Sequence, residues 1–240
     1  MKKVYYSVVI PAHNEARCLK KLVLKVRYML SKLNKRFEII IVNDNSTDNS
    51  LSVLKGLKKI ADELVIINRE KKPGVGNAIR EGLYKTKGKI IITMDGDLSH
   101  NPAEIPRLLK NLDKYDVVCG SRYISGSKAY IEVSRKIISK TFNFIFRNLL
   151  SIPVKDFTSG FRAYKREVIE KINLKNENFG IYIEVPLKAH LAGFKLTEVP
   201  ITYSKRESGH SNLNYFTQGP EYLKVIFEVL KIKLRGYFIS

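Results

Sequence analysis

Apolar residues in this chain fall into short unbroken runs, each followed by polar residues and then by a longer patterned stretch. Ser7-Val8-Val9-Ile10 is halted by Pro11. Phe37 to Val42 runs into Asn43 and Asp44. Leu64 to Ile67, Lys89 to Met94 and Asp116 to Cys119 follow. Runs this short and this uniformly apolar predict strands covered on both faces, as in parallel sheets. After the first run, Leu19, Leu22, Val23, Val26, Leu30 and Leu33 recur at helical spacing. Strands alternating with helices predict βαβ units, hence an α/β fold with a mostly parallel central sheet flanked by helices. Ligands of such sheets bind beyond the carboxyl ends of the strands, and polar residues gather there run after run.

The fourth run carries the sharpest chemical signal, Met94-Asp95-Gly96-Asp97. Side chains two apart in an extended segment share a face. The pattern therefore predicts two carboxylates emerging together where a core strand ends. Paired carboxylates suit a hard divalent cation that shares its oxygen ligands with substrate phosphates, and Gly96 permits close approach of a bulky group. Taken alone, the same three residues fit a solvated turn equally well. Other nucleotide sites are a poorer match. The first strand is not followed by G-x-G-x-x-G, and no G-x-x-x-x-G-K-[ST] occurs, which removes the dinucleotide fingerprint and the usual P-loop.

Several motifs stand in order along the chain: Pro11 to Glu15, Val42 to Asp48, Gly74 to Ala78, Asp95 to His100, Gly120 to Tyr123, Asp156 to Arg162, Val199 to Ile201 and Arg206 to Ser211. Together they resemble the family 2 glycosyltransferases of GT-A (Rossmann-like) fold, and among these the polyprenyl (dolichyl) phosphate mannose synthases. The resemblance covers roughly residues 4–212.

What the resemblance implies is specific. Pro11, Asn14, Glu15, Val42 and Asp44 would hold the nucleoside of a sugar-nucleotide donor. Asp44 can accept from a nucleobase N–H. The helix beginning near Gly76 would offer backbone N–H groups, with Lys72 and Arg206 as cations. Asp95 and Asp97, with Gly96 between them and Ser99 beyond, would hold Mg²⁺ or Mn²⁺ against the diphosphate. Arg122, Arg135 and Ser139 would grip a lipid phosphate, and Asp156, Ser159 and Arg162 would complete the acceptor side. Arg135 and Ser139 lie i, i+4 on one helix face. Catalysis would rest on Asp97, Arg122, Arg135 and Ser139 through positioning and charge stabilisation, since a phosphate nucleophile is already ionised. A sugar hydroxyl as acceptor would instead require a base, with Asp156 or Glu184 available.

The activity implied is inverting transfer of a hexose, with mannose from GDP-mannose favoured, to a polyprenyl phosphate at the cytoplasmic membrane face. The alternatives are glucosyl or N-acetylhexosaminyl transfer from a UDP-sugar, and transfer to a glycan hydroxyl. The family's late lysine is Asn212 here, leaving Lys205 or His210 to supply a cation, and His13 stands where a tyrosine is common.

Composition narrows the partners. The net charge of +20 over 240 residues suits an anionic membrane or a phosphorylated substrate. No nucleic-acid motif accompanies it, so no nucleic-acid partner is expected. No apolar run reaches the ~18 residues of a transmembrane helix, and no signal peptide is evident. Cys18 and Cys119 are isolated, as expected of reduced thiols in the cytoplasm. The expectation is a catalytic domain over residues 1–214 and a basic amphipathic helix over 215–240. That helix, and the stretch Ile131–Leu150, would meet the membrane surface or a small membrane-anchoring subunit.

Overall fold

The computed structural model describes residues 3–207 and Phe227. The first three apolar runs form β1 (Tyr6–Ala12), β2 (Phe37–Asp44) and β3 (Leu64–Arg69), separated by α1 (Ala16–Ser31) and α2 (Ser50–Lys58). Then come α3 (Val75–Lys85), β4 (Ile90–Thr93), a 3₁₀ turn at Pro102–Glu104, α4 (Ile105–Leu109) and β5 (Val117–Ser121). The rest comprises β6 (Lys128–Ala129), α5 (Val133–Leu150), β7 (Arg162–Lys165), α6 (Arg166–Lys171), α7 (Ile181–Leu191), β8 (Leu196–Pro200) and β9 (Thr202–Tyr203).

Seven strands make one sheet in the order β3-β2-β1-β4-β7-β5-β8. All neighbours run parallel except β7, which is antiparallel to both β4 and β5. The mostly parallel sheet expected from the sequence is thus present. Alternation along the strands distributes the core. Val9, Ile40 and Val42 join one apolar cluster, whereas Val8, Ile10, Ile39 and Ile41 join another. Two covered faces explain why the runs are apolar at every position. On α1 the buried side chains are Cys18, Leu19, Leu22, Val23, Val26 and Leu30, a stripe of the expected spacing. The stretch assigned to a C-terminal helix, 215–240, lies outside the described residues apart from Phe227.

The strand order reverses at β1, where β2 lies on one side and β4 on the other. A crevice opens at such a switch point, beyond the carboxyl ends of the strands. The site lies there.

Candidate active site

β4 ends at Thr93, so Asp95 and Asp97 sit in a turn rather than on the extended strand that the sequence pattern implies. Leu98 takes a left-handed backbone, φ 61°, which is uncommon for a bulky residue. That turn brings the Ser99 N–H (3.0 Å) and hydroxyl (2.5 Å) back onto Asp97 Oδ1. Ser99 is fully buried behind Asp97; it positions the carboxylate and does not itself line the cavity. Asp97 Oδ2 has an ionic neighbour, Arg206 Nε at 2.8 Å, but no hydrogen bond of good geometry. Asp95 Oδ1 accepts from the Tyr182 hydroxyl at 2.9 Å, and the Asp95 N–H donates to Nδ1 of the buried His100 at 3.3 Å.

Glu15 faces the same acids. Its Oε2 is buried with no hydrogen-bond partner among the described residues. Burial first, then the negative charges of Asp97, Asp48 and Asp95, push its carboxyl up to about 7 against the opposing pull of Arg206. Arg206 is shared between Asp97 (2.8 Å) and Glu15 (3.9 Å), so among the described residues the three acids Asp95, Asp97 and Glu15 outnumber the cations beside them. Hard oxygen donors of this kind fit Mg²⁺ or Mn²⁺. Among the described residues no three acidic, histidine or cysteine side chains form a ready-made cage. A cation completed by substrate phosphates fits that donor set better than a structural ion.

Asp95, Asp97, Glu15 and Arg206 line a cavity of about 490 Å³ that Arg122, Arg135 and Ser139 line as well. Arg135, Ser139 and Phe142 lie on one face of α5 and reach the cavity together. Arg122 is held by a bidentate bridge to Asp156 (2.8 Å to each oxygen) and by Thr158 Oγ1 at 2.9 Å. Burial opposes ionisation of Asp156, but the Arg122 charge and several hydrogen bonds outweigh it and hold the carboxyl below its ordinary range. Asn143 brackets α5 to this loop. It donates to the Ser139 carbonyl and to Thr158 Oγ1, and accepts from the Phe157 N–H.

The structure sorts the remaining sequence-derived residues. Pro11, Gly96 and Ser159 line the cavity. So does Asp44, though one oxygen is taken by the Arg69 guanidinium and the other by the Gly74 N–H at 2.7 Å. Asn14 ties the loop after β1 to the loop after β2 by accepting from the Thr47 and Asp48 N–H groups. Val42 is core. Gly76 lets α3 pack on the 176–178 backbone, where a Cβ would lie 2.4 Å from the Asn176 carbonyl. Lys72 is exposed and does not line the cavity. Arg162, expected at the acceptor side, is buried and donates to the carbonyls of Phe157 and Tyr182. Asp156 is fully buried behind Arg122.

Tyr182, Thr158 and Asn143 were not singled out by sequence reasoning. Tyr182 lies 87 residues from Asp95, so no local spacing marks it. Lys205 does line the cavity, while His210 and Asn212 lie outside the described residues.

Comparison with known proteins places this site in context. Residues 7–173 match the family model described as glycosyl transferase family 2. A dolichol-phosphate mannosyltransferase of Pyrococcus furiosus is 33% identical over 94% of this chain and 63% of its own length, so the chain spans less than two thirds of that relative. A polyprenol monophosphomannose synthase of Mycolicibacterium smegmatis is 33% identical over 95% of this chain and 87% of its own. Among solved structures, glucosyl-3-phosphoglycerate synthase from Mycobacterium tuberculosis, in complex with Mn²⁺, UDP and glucosyl-3-phosphoglycerate, superposes with a TM-score of 0.65. It is 19% identical and covers 94% of this chain and 80% of that one, a likeness of fold.

Proposed function

The chain belongs to glycosyl transferase family 2, and from that premise we propose that this glycosyltransferase moves mannose from GDP-mannose onto a polyprenyl phosphate, with inversion at the anomeric carbon. One observation carries the reading. A single cavity is lined both by Asp95 and Asp97 and by Arg122, Arg135 and Ser139, suiting a metal-bound donor diphosphate and an acceptor phosphate respectively. The names of the relatives in Pyrococcus and Mycolicibacterium support the same acceptor and sugar.

Asp95 and Asp97 would hold Mg²⁺ or Mn²⁺, which when bound neutralises charge on the departing nucleoside diphosphate. The chain's own groups do the rest. Arg206 and Lys205 border the diphosphate. Pro11 and Glu15 border the nucleoside, and Asp44, fixed by Arg69, stands at its edge. Arg135 and Ser139 hold the acceptor phosphate on one helix face, and Arg122 presents a guanidinium whose direction Asp156 fixes. A guanidinium fork matches phosphate geometry, and the fixed geometry supplies proximity. The acceptor monophosphate is ionised, so attack needs no base. The structure favours this acceptor over a hydroxyl. Both carboxylates available as bases are engaged: Asp156 by Arg122, and Glu184 by Lys188 and the N–H groups of Lys175 and Asn176.

The membrane supplies the lipid. No helix among the described residues is long and apolar enough to cross it. On α5, Val133, Ile137, Ile138, Phe144, Ile145 and Leu149 are exposed, and the helix sequence contains Arg135, Lys136, Lys140 and Arg147 but no acid. A basic face with exposed apolar residues suits the interface of an anionic bilayer. Residues 1–214 carry catalysis in this reading. Residues 215–240, basic and amphipathic in sequence, add a second contact with the cytoplasmic membrane face or with an anchoring subunit.

The test is incubation of purified protein with Mg²⁺ or Mn²⁺, dolichyl phosphate and radiolabelled GDP-mannose, with UDP-glucose in parallel. Label entering organic solvent from GDP-mannose alone is the expected result. Label from UDP-glucose would keep the lipid acceptor and replace the donor. No organic label from either would overturn the reading.

A further inference from the structure

Asp95 is the more exposed of the two paired acids, with a quarter of its side chain open against 2% for Asp97. Something other than burial must hold it. Two neighbours reach its carboxylate: His100 Nδ1, 3.6 Å from Oδ2, and Tyr182, whose hydroxyl donates to Oδ1 at 2.9 Å. Three features of the chain converge on that one bond. Tyr182 lies in the first turn of α7, and Pro186 lies four residues on. Proline has no N–H, so the Tyr182 carbonyl loses its helical donor. Arg162 supplies the replacement, Nη2 donating to the Tyr182 carbonyl at 2.6 Å. Arg162 is itself buried and spans to the Phe157 carbonyl, so the backbone of Tyr182 is pinned to β7.

The third feature is Gly160. A Cβ there would lie 2.6 Å from Tyr182 Cε1 and 2.8 Å from Asp95 Oδ1. Only glycine lets the ring pass to the carboxylate, and Thr93 Oγ1 holds the Gly160 carbonyl at 2.8 Å. The ring also lines the cavity. Glycine and arginine, two residues apart at the entry to β7, and proline on α7 thus serve one hydroxyl–carboxylate bond.

We propose that Tyr182 is a positioning residue of the donor site: by occupying Asp95 Oδ1 it leaves Oδ2 as the single oxygen that Asp95 offers to a divalent cation. Partners that orient a metal ligand are commonly worth tenfold to a hundredfold in metal affinity. A one-oxygen offer suits a small octahedral ion that keeps its other positions for phosphates and water. The inference rests on the metal reading given above and deepens it.

The experiment separates the two. Mn²⁺ binding to the full-length protein is titrated by electron paramagnetic resonance with saturating GDP, and with UDP in parallel, for wild type and Tyr182→Phe. Phenylalanine keeps the ring and removes only the hydroxyl; thermal melting checks that the variant is folded. The expected result is Mn²⁺ affinity weakened about tenfold or more, with nucleotide binding in the absence of metal unchanged. Gly160→Ala, which intrudes between ring and carboxylate, should weaken Mn²⁺ in the same direction. Equal Mn²⁺ affinity in wild type and Tyr182→Phe would overturn the inference and leave the metal reading intact. So would an equal loss of nucleotide binding with and without Mn²⁺, because that signals a change of cavity shape. Failure of the wild type to bind Mn²⁺ with either nucleotide would overturn both.

Discussion

Asp97, which lines the cavity, and Asp156, which lies behind Arg122, are both buried carboxylates, yet they are built differently. Asp156 has its two oxygens filled by the Arg122 guanidinium and its neighbours. Asp97 has one oxygen fixed by Ser99, and the other faces the partly exposed Arg206, Nε at 2.8 Å, with no hydrogen bond of good geometry among the described residues. A satisfied buried charge is architecture: it orients its partner. A half-satisfied one stores unmet demand for positive charge, which suits an incoming cation. The same contrast separates Glu184, saturated by two N–H groups and Lys188, from Glu15, whose Oε2 has no hydrogen-bond partner among the described residues.

If the contrast is real, substitutions on its two sides should fail in different ways. Asp156→Asn should cost most. It strands the Arg122 charge, and breaking a buried pair from one side costs about 3–5 kcal/mol, readable in urea unfolding. The pH dependence has a defined sign. The folded carboxyl titrates below its ordinary value, so the unfolded chain binds the extra proton as pH falls. The stabilisation is therefore complete above the unfolded value of about 4 and lost as pH drops below it toward the folded value. The gap between wild type and variant should shrink over that same range; a gap that widened in acid would refute the pairing. Asp97→Asn should do the reverse. Transfer should fall about 10²–10³-fold, as when a group aimed at developing charge is removed, while the melting temperature changes little, because the Arg206 guanidinium left behind is partly exposed and can be solvated. A large loss of stability with transfer retained would make Asp97 architecture as well.

The sequence revealed the two sides of this comparison unequally. The five apolar strands β1 to β5 announced themselves because the sheet packs apolar clusters on both faces. β7 did not, since Arg162-Ala163-Tyr164-Lys165 starts and ends on charge and carries no run of apolar residues. Its antiparallel insertion between β4 and β5 is a tertiary fact with no local signature. The D-x-D pair was legible as chemistry, but its geometry was not: a strand rule implied shared orientation, whereas a left-handed Leu98 does the work. Asp156 and Arg162 sit in one motif with Ser159 and gave no sign that two of them face away from the cavity. Motifs mark which residues matter together. Whether a given member touches substrate or holds a neighbour depends on burial, which four or five intervening residues do not encode.

The acceptor side offers the smaller and finer tests. Arg135→Ala should raise the KM for dolichyl phosphate about 10–100-fold, the worth of a hydrogen bond to a charged group, with the donor KM unchanged. Ser139→Ala should cost less, a few-fold in the same KM for a neutral hydroxyl worth about 1 kcal/mol. Asn143 Nδ2 donates to Ser139 Oγ across a long 3.5 Å, so the melting temperature should hold. The double variant then asks whether the two residues grip one phosphate. Groups that share a partner couple, whereas independent ones add. A loss in the double variant smaller than the product of the single losses would place Arg135 and Ser139 on the same acceptor phosphate. Strict additivity would mean that one of them acts elsewhere, and the division of the cavity lining into cation-seeking and phosphate-gripping residues would have to be redrawn.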